Sequence, residues 1–259
     1  MNNLPPLDIE ILLCGHHRVQ EWNHKEASAP YWYFYWNDGA GAYLSAQGKD
    51  TPLDRTSFIL IPANFRFSTY STAPFPHLYI HFTAGRPYDS VLPRIYSFPL
   101  GDIVGRKAQA LSGLMESAGD DPRRVHLLAY SLIYDALLAL GDDDFKQRGR
   151  FDRRVESALR VLDGDTSRLI DNEELAGEAR MTPSAFIRLF TRQVGVSPQK
   201  YSRKKRVDKA SLMLHFSDKG IEEIARETGF IDRYHFTKVF TKLMGLPPSE
   251  FRKQRNRLK

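Results

Sequence analysis

The chain has 259 residues and a formal net charge of +6, from 37 Lys and Arg against 31 Asp and Glu. At 42% hydrophobic and 26% charged it has an ordinary globular balance, with length for one large or two ordinary domains. Its single cysteine, Cys14, excludes an intrachain disulfide, and no apolar run approaches the roughly 18 residues that a membrane-spanning helix requires.

In chain order, Asp8 and Glu10 come before any useful apolar stretch and no basic leader is present, so no signal peptide is expected and the reading is cytoplasmic. Residues 8–82 read as strands and turns. Short apolar or aromatic runs (Ile9–Leu13, Tyr31–Trp36, Ser57–Ile61, Leu78–Phe82) alternate with Gly, Asn and Asp clusters such as NDGAG and AQGKD. That pattern predicts an antiparallel sandwich or barrel. Residues 103–118 and 123–140 read as two helices, the second apolar over much of its circumference through Val125, Leu128, Leu132, Ile133, Ala136, Leu137 and Leu140. GDDDFKQRGR, Gly141 to Arg150, is polar and aperiodic and reads as a linker; residues 151–252 read as helices throughout.

Charge divides along the same line. Residues 151–259 carry 23 Lys and Arg against 15 Asp and Glu, or +8, whereas residues 1–150 carry 14 against 16, or −2. A basic half joined to a near-neutral one suggests a polyanion-binding module attached to something else, though a solvated basic surface would look the same on charge alone.

The basic half contains a repeat. Leu175 and Ala176 recur as Ile224 and Ala225, a shift of 49; Phe186, Leu189, Phe190, Gly195, Pro198 and Tyr201 recur as Phe236, Val239, Phe240, Gly245, Pro248 and Phe251, a shift of 50. Each copy reads as helix, tight turn, helix. Asp171 with Glu174, Thr182 before Pro183, and Asp232 are N-cap signals, and Gly195 and Gly245 mark the ends of the second helices. Small Ala176 and Ala225 stand where two short helices must cross closely, the helix-turn-helix arrangement.

The residues opposite the apolar face carry the chemistry. In the first copy these are Ser184, Ile187, Arg188 and Arg192; in the second, Arg233, Tyr234, His235, Thr237, Lys238 and Lys242. Arg and Lys pair with guanine edges or phosphate oxygens, and a helix fits the major groove, so both faces are candidate contacts to double-stranded DNA. A merely cationic two-helix unit is the competing reading. Between the copies PQKYSRKKRVDKASLMLHF reads as one connecting helix with a basic cluster from Arg203 to Arg206, and the tail RKQRNRLK as a disordered phosphate-binding arm.

Through ARMTPSAFIRLFTRQVGVSPQKY and IEEIARETGFIDRYHFTKVFTKLMGLPPSEFR, about residues 155–252 resemble the AraC/XylS family of bacterial transcription regulators. FILIPANFRFSTY and PHLYIHF resemble the cupin-like sensing barrel of the same family. The resemblance implies a multi-domain α+β chain. A sensing barrel would occupy 1–100, a helical dimerisation segment 101–141, a linker 142–152, and an all-α DNA-binding domain with two helix-turn-helix units 153–259. It implies base reading by Ser184, Ile187 and Arg188 and by Arg233, Tyr234, His235 and Lys238, with apolar Ile187 departing from a polar choice. It implies a homodimer, a small-molecule effector, in many members a sugar, and RNA polymerase as a candidate further partner. No enzyme, cofactor or metal follows from it.

In the N-terminal half, Trp32 and Trp36 of YWYFYW and His77, Tyr79 and His81 of PHLYIHF are candidate effector contacts, because polar-tipped rings both stack and hydrogen-bond. Ordinary packing inside a filled barrel explains them equally well. A metal site lacks the His-x-His pattern of metal-binding cupins. The remaining alternatives are a cupin-type metalloenzyme fused to a DNA-binding module, and a repair protein with a reactive Cys14.

Overall fold

The computed structural model describes residues 7–117, 121–146, 151–164 and 166–254. The chain divides into two compact units, Met1–Arg148 and Gly149–Lys259.

The first unit contains strands β1 (Ile9–Val19), β2 (His24–Ala27), β3 (Trp32–Trp36), β4 (Ala42–Ala46), β5 (Lys49–Leu53), β6 (Ser57–Ile61), β7 (Phe67–Ser71), β8 (Phe75–Ala84) and β9 (Tyr96–Pro99), then helices α1 (Asp102–Glu116) and α2 (Pro122–Leu138). All strand pairs are antiparallel, in a five-stranded sheet ordered β1-β8-β3-β6-β9 and a four-stranded sheet ordered β2-β7-β4-β5. The expected antiparallel fold is therefore present, but as two separate sheets and not as one closed barrel. Gln47 and Gly48, both at positive φ, make the two-residue turn of the β4–β5 hairpin, where the sequence places AQGKD.

Strand β3 is buried at every position, because both faces of its sheet are covered. On one face Trp32, Phe34 and Trp36, with Leu78, Ile80 and Phe82 of β8, pack against Leu111 of α1 and Ala129, Leu132, Ile133 and Ala136 of α2. On the other, Tyr33 meets Phe67 of the second sheet edge-on at 5.2 Å. Residues 141–146, read as linker, are instead tied to this unit. Asp144 is buried and accepts from Arg94 and from the Gly141 amide, the Leu92 amide donates to the Asp144 carbonyl, and Phe145 bridges Val91. Asp144 is the buried anchor of this segment, while Gly141, Asp142, Asp143 and Lys146 remain exposed.

The second unit is α3 (Arg153–Gly164), α4 (Asn172–Glu178), α5 (Pro183–Val194), α6 (Pro198–Phe216), α7 (Ile221–Glu227), α8 (Arg233–Met244) and α9 (Pro248–Gln254). Two apolar clusters divide it, one around Leu175, Ala176, Phe186 and Phe190, the other around Ile224, Ala225, Phe236 and Phe240. The pairs α4–α5 and α7–α8 repeat with the shifts of 49 and 50 seen in the sequence. The extra residue is Ile231, exposed in the α7–α8 turn at 82%. The cap signals hold: Asp171 accepts from the Glu174 amide, Thr182 from Ala185 and Asp232 from His235. Gly195 and Gly245 close α5 and α8 at φ +82 and +83. Residues 255–259 of the basic tail lie outside the described residues. No described helix is long and apolar enough to cross a membrane.

Two glycines at positive φ separate a backbone requirement from a packing one. A Cβ on Gly195 meets nothing within 4 Å, whereas one on Gly229, in the α7–α8 turn, would lie 2.5 Å from the Ser167 carbonyl oxygen. Gly195→Ala should therefore cost about 1–2 kcal/mol, the left-handed penalty alone. Gly229→Ala should cost clearly more, read as the larger fall in Tm; equal falls would contradict the packing account.

Candidate nucleic-acid interface and effector region

The second helix of each repeat is amphipathic, so burying its aromatic face fixes what it shows outward. Phe186 and Phe190 on α5, and Phe236 and Phe240 on α8, are fully buried. Ser184, Arg188 and Arg192 are exposed on α5, as are Arg233, Tyr234, Lys238 and Lys242 on α8. Tyr234 is 85% exposed, so most of its ring faces outward. Arg188 and Lys238, and Arg192 and Lys242, occupy equivalent places. Ile187 and Thr237 are half-buried. His235 differs from expectation: it is half-buried, and its ring packs edge-on against Phe230 at 5.7 Å, so it supports the turn instead of projecting from the helix.

Helix α6 spans about 28 Å at 1.5 Å per residue over its 19 residues. Its expected basic cluster splits. Arg203 and Lys204 are exposed, Lys204 pairing with Asp208 at 2.8 Å. Lys205 lies over the Tyr201 ring and 3.2 Å from Asp163. Arg206 is buried, donates from Nη1 to the Gly229 carbonyl at 2.8 Å, and stacks its guanidinium over Phe230 at 5.0 Å. It clamps the α7–α8 turn to the connecting helix. The signal was available: Arg206 stands four residues from both Ser202 and Ala210, which are buried on the same stripe.

In the first unit the register separates the candidate effector residues. β3 pairs with β8 so that Tyr33 faces His81 and Tyr35 faces Tyr79, while Trp32 opposes Phe82 and Trp36 opposes Leu78. Cross-strand partners share a face, so Trp32 and Trp36 lie on the helix-covered side and His77, Tyr79 and His81 on the other. One site holding all five is excluded. His77 and His81 are buried among rings: His77 lies 4.7 Å from Tyr35 and 5.0 Å from Trp22, and His81 stacks on Tyr31 at 4.9 Å. The His77 Nδ1 is 2.8 Å from the Asn37 amide; the alternative amide orientation lets the Asn37 nitrogen donate to it. Tyr79 is half-buried and lies over Gly15, where a Cβ would fall 2.3 Å from its hydroxyl. Cys14 is half-buried, and burial pushes its thiol up to about 12, which keeps it from the reactive thiolate form. Among the described residues no group of three or more His, Cys, Asp and Glu is placed to hold a metal ion.

Two stacked helix-turn-helix units with matching cationic faces define a DNA-binding class of domain. Residues 175–254 match the family described as a helix-turn-helix domain. An arabinose operon regulatory protein of Salmonella typhimurium is 31% identical over 145 residues, covering 55% of this chain and 52% of that protein. An uncharacterised HTH-type transcriptional regulator of Haemophilus influenzae is 34% identical over 102 residues, covering 39% and 34%. The matches thus span about a third to a half of these relatives' length. Among solved structures, ToxT of Vibrio cholerae aligns with a TM-score of 0.51 at 14% identity over 95% of this chain and 97% of its own, a likeness of fold alone. Residues 175–254 are thus a helix-turn-helix domain, and over part of its length the chain is similar to these transcription regulators.

The buried His77 generates a pH dependence. Burial, and then the neighbouring His17, His81 and His16, hold it well below its ordinary 6.5, and burial lowers His16 in the same direction. Below about pH 6.5 the unfolded chain takes up protons that the folded chain refuses, so stability is complete above that pH and declines as pH falls toward the depressed values. The slope should reach up to about 1.4 kcal/mol per pH unit for each such proton. Thermal melts between pH 7.5 and 5 should show this decline in the full chain and a shallower one in His77→Gln.

Proposed function

We propose that the chain is a DNA-binding transcription regulator whose N-terminal unit senses a small molecule and pairs two copies. The observation that carries the reading is the paired cationic face: α5 and α8 turn equivalent basic residues outward while equivalent phenylalanines are buried. α5 and α8 would each enter a major groove, with the N-terminal Arg233 near base edges and Lys242, further along the helix, near phosphate. The connecting helix, about 28 Å long, is shorter than the roughly 34 Å between successive grooves on one face, so bending of the DNA or unequal insertion of the two helices goes with this reading.

The pairing surface proposed is α2. Leu127, Tyr134 and Leu138 are exposed on one stripe of that helix, Leu127 at 68% and Leu138 at 79%, more apolar surface than a helix facing water carries. A sugar or related metabolite is the effector class in view, supported by the relative named for an arabinose operon.

Binding measured on a selected site and on random DNA at several salt concentrations separates the roles. Arg233→Ala should cost about 1–3 kcal/mol at one base position and relax the preference there. Lys242→Ala should weaken every sequence alike and lower the salt slope by about one unit. Folded variants that both bind as the parent does would remove this face from the interface. By sedimentation, the parent should be a dimer at tens of micromolar and Leu127→Glu/Leu138→Glu a monomer; an unchanged dimer would exclude α2.

A further inference from the structure

The two repeats differ in the turn that leads into their second helices. Arg180 and Gly229 take the positive φ of that turn, at +51 and +73. The residues after them, Met181 and Phe230, donate their amides to the Ala176 and Ala225 carbonyls, at 2.9 Å in both copies. In the first copy the cap follows at once. Met181 stands directly before Thr182 and packs, half-buried, on the core that holds Phe186, the place of a hydrophobic staple. In the second copy Phe230 fills that role, buried 5.1 Å from Phe236, and Ile231 is inserted before the Asp232 cap. With the staple already filled, Ile231 is left exposed.

A single exposed isoleucine is ordinary on a protein surface. This one stands among cations: Arg233 and Lys238 are exposed beside it, and Tyr234 is exposed as fully. Asp232 is the sole acidic residue from Gly229 to Met244, and its carboxylate accepts from the His235 amide at 2.6 Å. The start of α8 thus joins an apolar side chain to positive charge, at the end of a groove-bound helix that approaches base edges. A phosphate gains nothing from an isoleucine. Among the groups that base pairs present in the major groove, the thymine C5-methyl is the apolar one.

We propose that Ile231 reads thymine: its side chain packs on the C5-methyl of a thymine beside the base pair that Arg233 contacts, and so sets part of the sequence that the second repeat prefers. The proposal rests on the reading of α8 as a groove-bound helix. It adds a residue that precedes the helix and the base group it selects. Cytosine in the same place would set its N4 donor against an apolar side chain and leave that donor unpaired, so a T·A pair is favoured over C·G. The first repeat has no counterpart of Ile231, so this contact belongs to one half of the site.

The test uses the full chain on a fragment selected from random DNA. Each thymine in the half-site that responds to Arg233→Ala is replaced in turn by deoxyuridine, which removes the methyl and keeps the pairing. One replacement should weaken binding by the parent about fourfold, the worth of one buried methyl group. Ile231→Ala should weaken the unmodified fragment by about the same factor and lose the response to deoxyuridine at that position, because two changes that remove one contact do not add. It should bind random DNA within about twofold of the parent and leave the salt slope unchanged, since no phosphate contact is lost. Ile231→Val, which keeps the branch, should keep part of the response. Tm should hold in both variants, because the side chain is exposed; a fall would mean that it is covered and would count against the proposal. A response that survives in Ile231→Ala and vanishes in Tyr234→Ala would give the methyl to Tyr234 and overturn the assignment. So would the absence of any deoxyuridine response, or a loss equal on selected and random DNA; either leaves α8 on DNA if Arg233→Ala still relaxes one base position. If Arg233→Ala and Lys242→Ala both bind as the parent does, the groove reading itself fails and this proposal fails with it.

Discussion

The C-terminal unit depends on one constraint: which side of α5 and α8 is buried. Each helix commits two phenylalanines to its core, Phe186 with Phe190 and Phe236 with Phe240, all fully buried. At about 1.5–3 kcal/mol for each buried large side chain, no rotation of either helix that exposes them competes. The cations stand on the opposite arc and have nowhere to go but outward. The caps and the left-handed glycines then fix where each helix starts and stops, so that the same outward positions recur fifty residues apart. An outward cationic surface on both helices is in this sense a consequence of core packing.

Arg206 extends that logic to the join between the two copies. A guanidinium is kept inside because it binds the Gly229 carbonyl and lies over Phe230, which holds the turn that α7 and α8 share. Gly229 lies with its α-carbon close to Ser167, in the segment between α3 and α4. The second repeat is thus seated on the connecting helix and on residues that precede the first, so the two outward faces are set by direct contact within the unit.

How much of this was legible in the sequence follows from the range of the interactions involved. The repeat, the caps at Asp171, Thr182 and Asp232, and the glycine stops are local and periodic, and they stand in the structure where the sequence places them. His235 was misjudged because its direction depends on Phe230 across a turn with one extra residue. Arg206 was misjudged because a run of four basic residues masks the helical periodicity beneath it. In the first unit, alternation along YWYFYW correctly separates the tryptophans from the tyrosines. Which of these faces His77, Tyr79 and His81 share is a matter of register between β3 and β8, some forty residues apart, and no local pattern states it. Register and sheet order likewise decide between two sheets and a closed barrel.

The most direct test of the central claim, that both repeats of one chain present a helix to DNA, is hydroxyl-radical footprinting of the full chain on a fragment selected from random DNA. The account predicts, for each bound chain, two protected patches on the same face of the duplex, about one helical turn or 10 base pairs apart. A single protected patch per chain, or a retained fragment with no patch one turn from the first, would contradict it.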